Sequence, residues 1–75
     1  MTVVVKRIVP ETEHERQKWY VLEASVEGVP AVTKRVSIAV TAIVARPSLL
    51  DEAKAKLVAD VTEYHANYLA LQALE

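Results

Sequence analysis

The sequence predicts an α+β fold, a three-stranded antiparallel β-meander followed by one long C-terminal helix. Stretches rich in β-branched residues, separated by polar or glycine-containing segments, occupy most of the first 45 residues. A helix-start signal follows, and neither glycine nor proline interrupts the chain after it. Since 75 residues suffice for one domain and not for two, residues 1–75 are predicted to form a single small domain.

The first two strands are predicted at residues 2–9 and 18–27. The first is rich in valine and stops at Pro10. The second alternates apolar and more polar residues from Tyr20 onward, as a half-buried strand does. The polar segment between them, from Glu11 to Lys18, predicts a protruding loop that could serve as a contact element.

The third strand is predicted to be unusually long, from residue 32 to about residue 45. A turn at residues 28–31 around the only glycine precedes it. A strand of this length would span roughly 45 Å, so a bend, a bulge or an overhang is expected. Its second part, Val36 to Ala45, carries no charge and would be prone to aggregation unless paired or covered.

The helix is predicted to begin after Pro47 and to run to about residue 73. Ser48 is the expected N-cap, with Asp51 as its reciprocal capping-box partner. At 100° per residue, one apolar stripe is expected to lie on the sheet. The stripe consists of Leu50, Ala53, Leu57, Val61, Tyr64, Tyr68 and Leu71.

Composition excludes several classes of site. With no cysteine there is neither a disulfide framework nor a thiolate zinc site. A single glycine excludes glycine-rich phosphate-binding loops. His14 lies among glutamates in a polar segment and His65 has no acidic or metal-binding partner at helical spacing. We therefore expect no catalytic residues, no metal, no cofactor and no enzymatic activity.

The second half of the helix points instead to association. From Tyr64 to Leu74 the sequence has no Asp, Glu, Lys or Arg, and Leu69 and Leu74 lie off the stripe that faces the sheet. A helix that is apolar on most sides is normally buried on most sides. A core with no Phe and many Val and Ala also leaves a small domain marginally stable by itself. The predicted interface residues are Trp19, Ile43, Tyr64, Tyr68, Leu69, Ala70 and Leu74.

We therefore expect a non-enzymatic assembly subunit. It would form a homo-oligomer, bind an obligate protein partner, or belong to a larger particle such as a virion or ring, through the apolar helix and the long third strand. The uninterrupted apolar segments are too short for a membrane span or a cleavable signal. The expected location is the cytoplasm or a macromolecular particle.

The alternative is a small nucleic-acid-binding module that uses basic residues of the sheet. The candidate residues are Lys6, Arg7, Lys34 and Arg35. Some small DNA-binding domains share the layout of three strands and a helix, which is an analogy of layout only. Glu23 and Glu27 on the same sheet and a net charge of −1 make nucleic acid an unlikely partner.

Overall fold

The computed structural model describes all residues from Met1 to Glu75 and confirms the α+β arrangement. In chain order the elements are β1 (Val3–Ile8), α1 (Glu13–Lys18), β2 (Trp19–Val26), β3 (Val29–Ala39), α2 (Val40–Ala45) and α3 (Ser48–Ala73). The three strands form one antiparallel sheet in the order β1-β2-β3, so both β1 and β3 are edge strands.

The strand register assigns every strand residue to one of two faces. Val5 pairs with Ala24, which pairs with Lys34, and Arg7, Leu22 and Val36 form another such row. Directly paired residues point to the same side of a sheet, so the even-numbered residues of β2, and those of β3 from Val32 onward, share a face with the odd-numbered residues of β1. The structure places α3 on that face. We call the opposite face the open face, because α3 does not cover it.

The core lies between β2, β3 and the first half of α3. Its buried residues are Leu22, Ala24, Val26, Val32, Ile38, Leu57 and Val61. Only Leu57 and Val61 represent α3 among them. Leu50, Ala53 and Tyr68 of the predicted stripe are half-buried against this core, whereas Tyr64 and Leu71 are exposed. The stripe is therefore confirmed in its middle and ends at Tyr68.

The predicted loop between the first two strands is wrong, because this segment contains the short helix α1. The Thr12 hydroxyl accepts a hydrogen bond from the backbone N–H of Glu15 at 3.2 Å, which caps the first turn. Glutamates in the first turn and Arg16 and Lys18 in the last turn complement the helix dipole. Arg16 also donates to the carbonyls of Pro10 and Glu11, which fixes the approach to the helix.

The predicted third strand is wrong at its second half. β3 ends at Ala39, and the next six residues form helix α2. Ile43 of this helix packs against the core, whereas Val44 remains 75% exposed. An isolated helix of this length is unstable in water, so its packing must stabilise it against the strand preference of its β-branched residues. The long apolar strand expected as an edge for association therefore does not exist.

The start of α3 is confirmed, but its predicted cap is not. Pro47 occupies the N-cap position with helical backbone angles, and no side chain caps the helix. The Arg46 carbonyl accepts from the N–H of Leu49, and the Arg46 guanidinium binds the carboxylate of Glu52 at 2.9 Å. Ser48 is already the first helical residue, so its hydroxyl does not have the N-cap role.

An irregularity in the β2–β3 pairing shortens the predicted turn. Between Ser25 and Val26 the register shifts, so Val26 pairs with Val29 while Ser25 pairs with Thr33. The turn itself consists of Glu27 and Gly28, and Gly28 has a φ of +82°, which favours glycine. The β3 strand consequently begins three residues earlier than predicted, and Thr33 donates to the Pro30 carbonyl across the shifted segment.

Candidate interaction surfaces

The C-terminal end of α3 extends past the sheet. Tyr68 is the last residue that packs against the core, and every residue from Leu69 onward is exposed. We call residues 69–74 the α3 extension. Leu69 is 50% exposed, Leu71 59% and Leu74 84%. At 1.5 Å per residue, the extension projects about 9 Å beyond the core.

The α3 extension is apolar over more than half of its circumference. At 100° per residue, the arc from Leu69 through Ala70 and Leu74 to Leu71 covers about 200°. Gln72 alone lies on the remaining side, where its amide donates to the Tyr68 hydroxyl at 2.9 Å. No charged side chain occurs between residues 64 and 74. The extension therefore presents leucine and alanine to solvent without a charge to favour hydration.

Tyr64 and His65 mark the position where α3 leaves the sheet. The Tyr64 hydroxyl donates to the Ala31 carbonyl at a long distance of 3.5 Å, and its ring lies 5.9 Å from the Lys34 ammonium. His65 is half-buried, and its Nδ1 lies 2.9 Å from the sulfur of Met1. These contacts attach the helix to the beginning of β3 and to the N-terminus immediately before the extension begins.

The seven predicted interface residues do not form one surface. Leu69, Ala70 and Leu74 lie in the α3 extension, and Tyr64 and Tyr68 lie just before it. Trp19 is on the open face beside Ala39, at the opposite end of the sheet, and is 39% exposed. Ile43 packs against the core from α2. The molecule is 45 Å long, so the extension and Trp19 are separate surfaces.

A row of three charged side chains crosses the centre of the open face. Glu23 on β2 lies between Lys6 on β1 and Arg35 on β3. Its carboxylate accepts from the Arg35 Nε at 2.6 Å and lies 3.6 Å from the Lys6 ammonium. The hydrogen bond from Arg35 and the two neighbouring positive charges outweigh desolvation and hold the pKa of Glu23 below its ordinary value. Glu23 neutralises much of the positive charge of the face.

The four basic residues of the nucleic-acid alternative are divided between the two faces of the sheet. Lys6 and Arg35 are on the open face and share Glu23. Arg7 is on the face that α3 covers, with its guanidinium 4.4 Å from the centre of the Tyr20 ring. Lys34 is on that face too, at the β3 edge beside Tyr64. The four side chains therefore do not form one basic surface that could follow a phosphate backbone.

Sites of other kinds are not evident among the side chains. His14 lies exposed on α1, and no three His, Asp or Glu side chains are close enough together to hold a metal ion. None of the helices combines the length and apolar character needed to cross a membrane. No family model, curated protein or solved structure matches this chain.

The accessible surface of the whole chain is larger than its mass predicts. The accessible surface is 5274 Å², and a folded monomer of 8.3 kDa is expected to expose about 4,600 Å². The radius of gyration is 14.3 Å, against about 11 Å for a compact chain of this length. The excess, on the order of 700 Å², approaches the roughly 800 Å² that each partner contributes to a standard protein interface.

Proposed function

We propose that this chain is a non-enzymatic assembly subunit that associates with further copies of itself through the α3 extension. The observation that carries the proposal is an exposed helical segment with three leucines, two alanines and no charge beyond the end of the sheet. Burying it would remove apolar area from water at about 25 cal/mol per Å². The chain as a whole also exposes on the order of 700 Å² more surface than its mass predicts.

A second copy is a suitable occupant because the extension is self-complementary. In a two-fold interface both copies bury the same surface, so a charge in that surface would need an opposite charge within the same surface. The extension has no charge that could repel its copy. Ala66, Ala70 and Ala73 follow each other at spacings of three or four residues and allow close helix–helix approach, while Leu69 and Leu74 fill the contact. Assembly into a particle or ring is a further step in the same proposal.

The four basic residues offer weaker support for a nucleic-acid-binding module. Their division between two faces and the central position of Glu23 would leave few phosphate contacts on either face. A random DNA duplex tests this alternative at about 50 mM salt. Tight binding that weakens steeply with added salt would favour the module over the assembly subunit.

The test of self-association uses two glutamate substitutions on α3. Leu69→Glu places a charge in the extension. Ala59→Glu places the same charge at an exposed residue of α3 that lies before the extension. We expect Leu69→Glu to raise the dissociation constant of the oligomer at least about 30-fold, because a charge would be buried unpaired. Ala59→Glu should leave it nearly unchanged, and sedimentation equilibrium measures both.

Equal effects of the two substitutions would contradict an interface at the extension. Circular dichroism of each variant shows whether the fold is retained, since a loss of helix would explain dissociation without an interface. Leu74→Glu provides a second variant in the extension, at a residue that is 84% exposed and makes little contact with its own chain.

A further inference from the structure

A trough runs between the free edge of β3 and helix α3. One part has a volume of about 300 Å³ and includes Val36, Leu57 and Lys56 in its lining. The adjoining part, of about 280 Å³, is lined by Glu63 and Tyr64 among others. Lys34 and Asp60 line both parts, so the two form one continuous depression.

The length of the trough corresponds to a short extended peptide. On α3 its lining extends from Ala53 to Asn67, which are 14 residues apart, or about 21 Å along the helix. Seven residues of an extended chain span about 20 Å between their first and last Cα atoms. The lining residues of α3 recur every three or four positions, so one face of the helix forms the wall along the whole length.

The other wall is an edge strand with unpaired backbone groups. β3 pairs with β2 on one side only. In an antiparallel pair, alternate residues direct both their N–H and their C=O away from the partner strand. Outside the helices and strand ladders, no backbone hydrogen bond involves residues 32–38, and no side chain bonds to their backbone. These groups are free to pair with an added strand.

The charges of the trough differ between its two ends. Lys56 and Arg35 line only the part beside Val36, and Glu63 lines only the part beside Tyr64. Lys34 and Asp60 lie between them and oppose each other in sign. Val36 and Leu57 make the part near Lys56 apolar. An occupant that complements the trough is therefore acidic at the Lys56 end, has apolar residues beside Val36 and Leu57, and is basic at the Glu63 end.

We propose that the trough binds an extended segment of another protein, which adds as a fourth strand to the β3 edge. β3 runs from the Glu63 end of the trough towards the Lys56 end, because α3 folds back along it. A segment that adds antiparallel begins near Lys56 and ends near Glu63. It thus has an acidic residue first, alternating apolar residues that point to Val36 and Leu57, and a basic residue last. This surface lies on the sheet side of α3, before the extension begins.

The experiment compares two synthetic heptapeptides with blocked ends. One is Glu-Thr-Val-Thr-Val-Thr-Lys, and the other exchanges its first and last residues. Amide chemical shifts of the whole chain are followed during titration with each peptide. We expect the first peptide to bind about five- to tenfold more tightly, since two exposed ion pairs replace two like-charge contacts. The shifted amides should cluster in β3 and in the facing turns of α3, and those of β1 should remain in place.

A charge-exchanged variant of the protein supplies the matched control. Lys56→Glu combined with Glu63→Lys changes two exposed residues and keeps the net charge. It should reverse the preference between the peptides. Absence of binding at millimolar peptide, an unchanged preference in the variant, or shifts centred on β1 would each overturn the proposal. If the chemical shifts of the β3 amides change when the protein alone is diluted, the β3 edge contacts a second copy. That result would also overturn the proposal.

Discussion

At the scale of single residues, Glu23 controls the character of the open face. It occupies the middle strand, its side chain is only 12% exposed, and its carboxylate contacts Lys6 and Arg35 on both neighbouring strands. Without the carboxylate the two positive charges would face each other across β2. Opposite charges paired across strands stabilise a sheet, whereas like charges destabilise it. Glu23 therefore links all three strands on the side that α3 does not cover.

This arrangement predicts an acid-dependent loss of stability. The pKa of Glu23 is lowered in the folded protein, mainly by the Arg35 hydrogen bond. Its contribution is therefore complete above the unfolded glutamate pKa of about 4.3 and is lost as the pH falls through the lower folded pKa. We expect Glu23→Gln to lower the urea midpoint at pH 7, and the difference from the unaltered protein to shrink steadily below pH of about 4.

Glu27 provides the control for this series. It is exposed beside the turn glycine and forms no ion pair. Glu27→Gln removes the same charge and should leave the urea midpoint almost unchanged between neutral and acidic pH. The urea midpoints of Glu23→Gln and the unaltered protein could instead differ by a constant amount down to pH of about 2. That result would show that Lys6 and Arg35 do not stabilise the Glu23 carboxylate.

Leu57 is one of the two buried residues that attach α3 to the sheet, and Val61 is the other. Leu57 is 4% exposed and belongs to the buried core. Leu57→Ala should destabilise the fold by about 2–5 kcal/mol, since it removes apolar burial and leaves a cavity. A chain of this size has about 3–5 kcal/mol of stability from its core. Thermal unfolding followed by circular dichroism should therefore show a protein that is largely unfolded near room temperature. A small fall in midpoint would instead place the principal contact of α3 elsewhere.

At the scale of elements, short-range patterns predicted α3 and most of the strands but missed α1. The missed signal was present in the sequence. Thr12 and Glu15 have the spacing of a capping box, Thr-x-x-Glu, and the Thr12 hydroxyl does accept from the Glu15 N–H. The absence of apolar residues hid the helix, because amphipathic periodicity is the usual criterion and α1 has no buried residue.

The cap of α1 leads to a local prediction. Thr12→Ala should destabilise α1 by about 1 kcal/mol, while Thr12→Ser should retain the cap. Since α1 buries nothing, the effect should remain within it. Amide hydrogen exchange measures this directly: protection in α1 should fall in the alanine variant only, and protection of the β2 core should not change. Equal loss of protection throughout the protein would mean that α1 unfolds together with the sheet.

α2 could not be predicted from its own residues. Val40, Thr41, Ile43 and Val44 favour strands, and the capping position Ala39 offers no side-chain acceptor. Ile43 nevertheless packs against the core from the helical backbone. Such tertiary effects commonly override local propensity. The same effect moved Ile43 from a predicted interface to the margin of the core.

At the scale of the whole molecule, the fold leaves more surface exposed than its mass requires. Seven of 75 residues are buried, and Leu74 has the highest exposed fraction among the large apolar side chains. The sequence predicted the uncharged stretch that contains the α3 extension, because charge and hydropathy are local properties. It could not show that Tyr64 and Tyr68 remain beside the sheet while Leu69 extends past it. That boundary depends on how α3 lies across the sheet, where the Tyr64 hydroxyl meets the Ala31 carbonyl near the start of β3.

The open face and the trough between β3 and α3 could not be predicted from the sequence either. The alternation of strand residues did not predict that Lys6 and Arg35 share Glu23, because the register between strands depends on the turn. The trough depends on the position of α3 across the sheet, which the sequence pattern does not specify. Both surfaces required the three-dimensional arrangement.

The mass of the unaltered protein in solution, followed as its concentration rises, distinguishes an assembling chain from a monomer. Sedimentation equilibrium from about 1 to about 100 µM covers the range of an ordinary interface of this size. Self-association through the α3 extension predicts a mass of at least two chains within that range, and a return to one chain for Leu69→Glu. A folded protein that remains at the mass of one 8.3 kDa chain at every concentration would exclude self-association through the α3 extension.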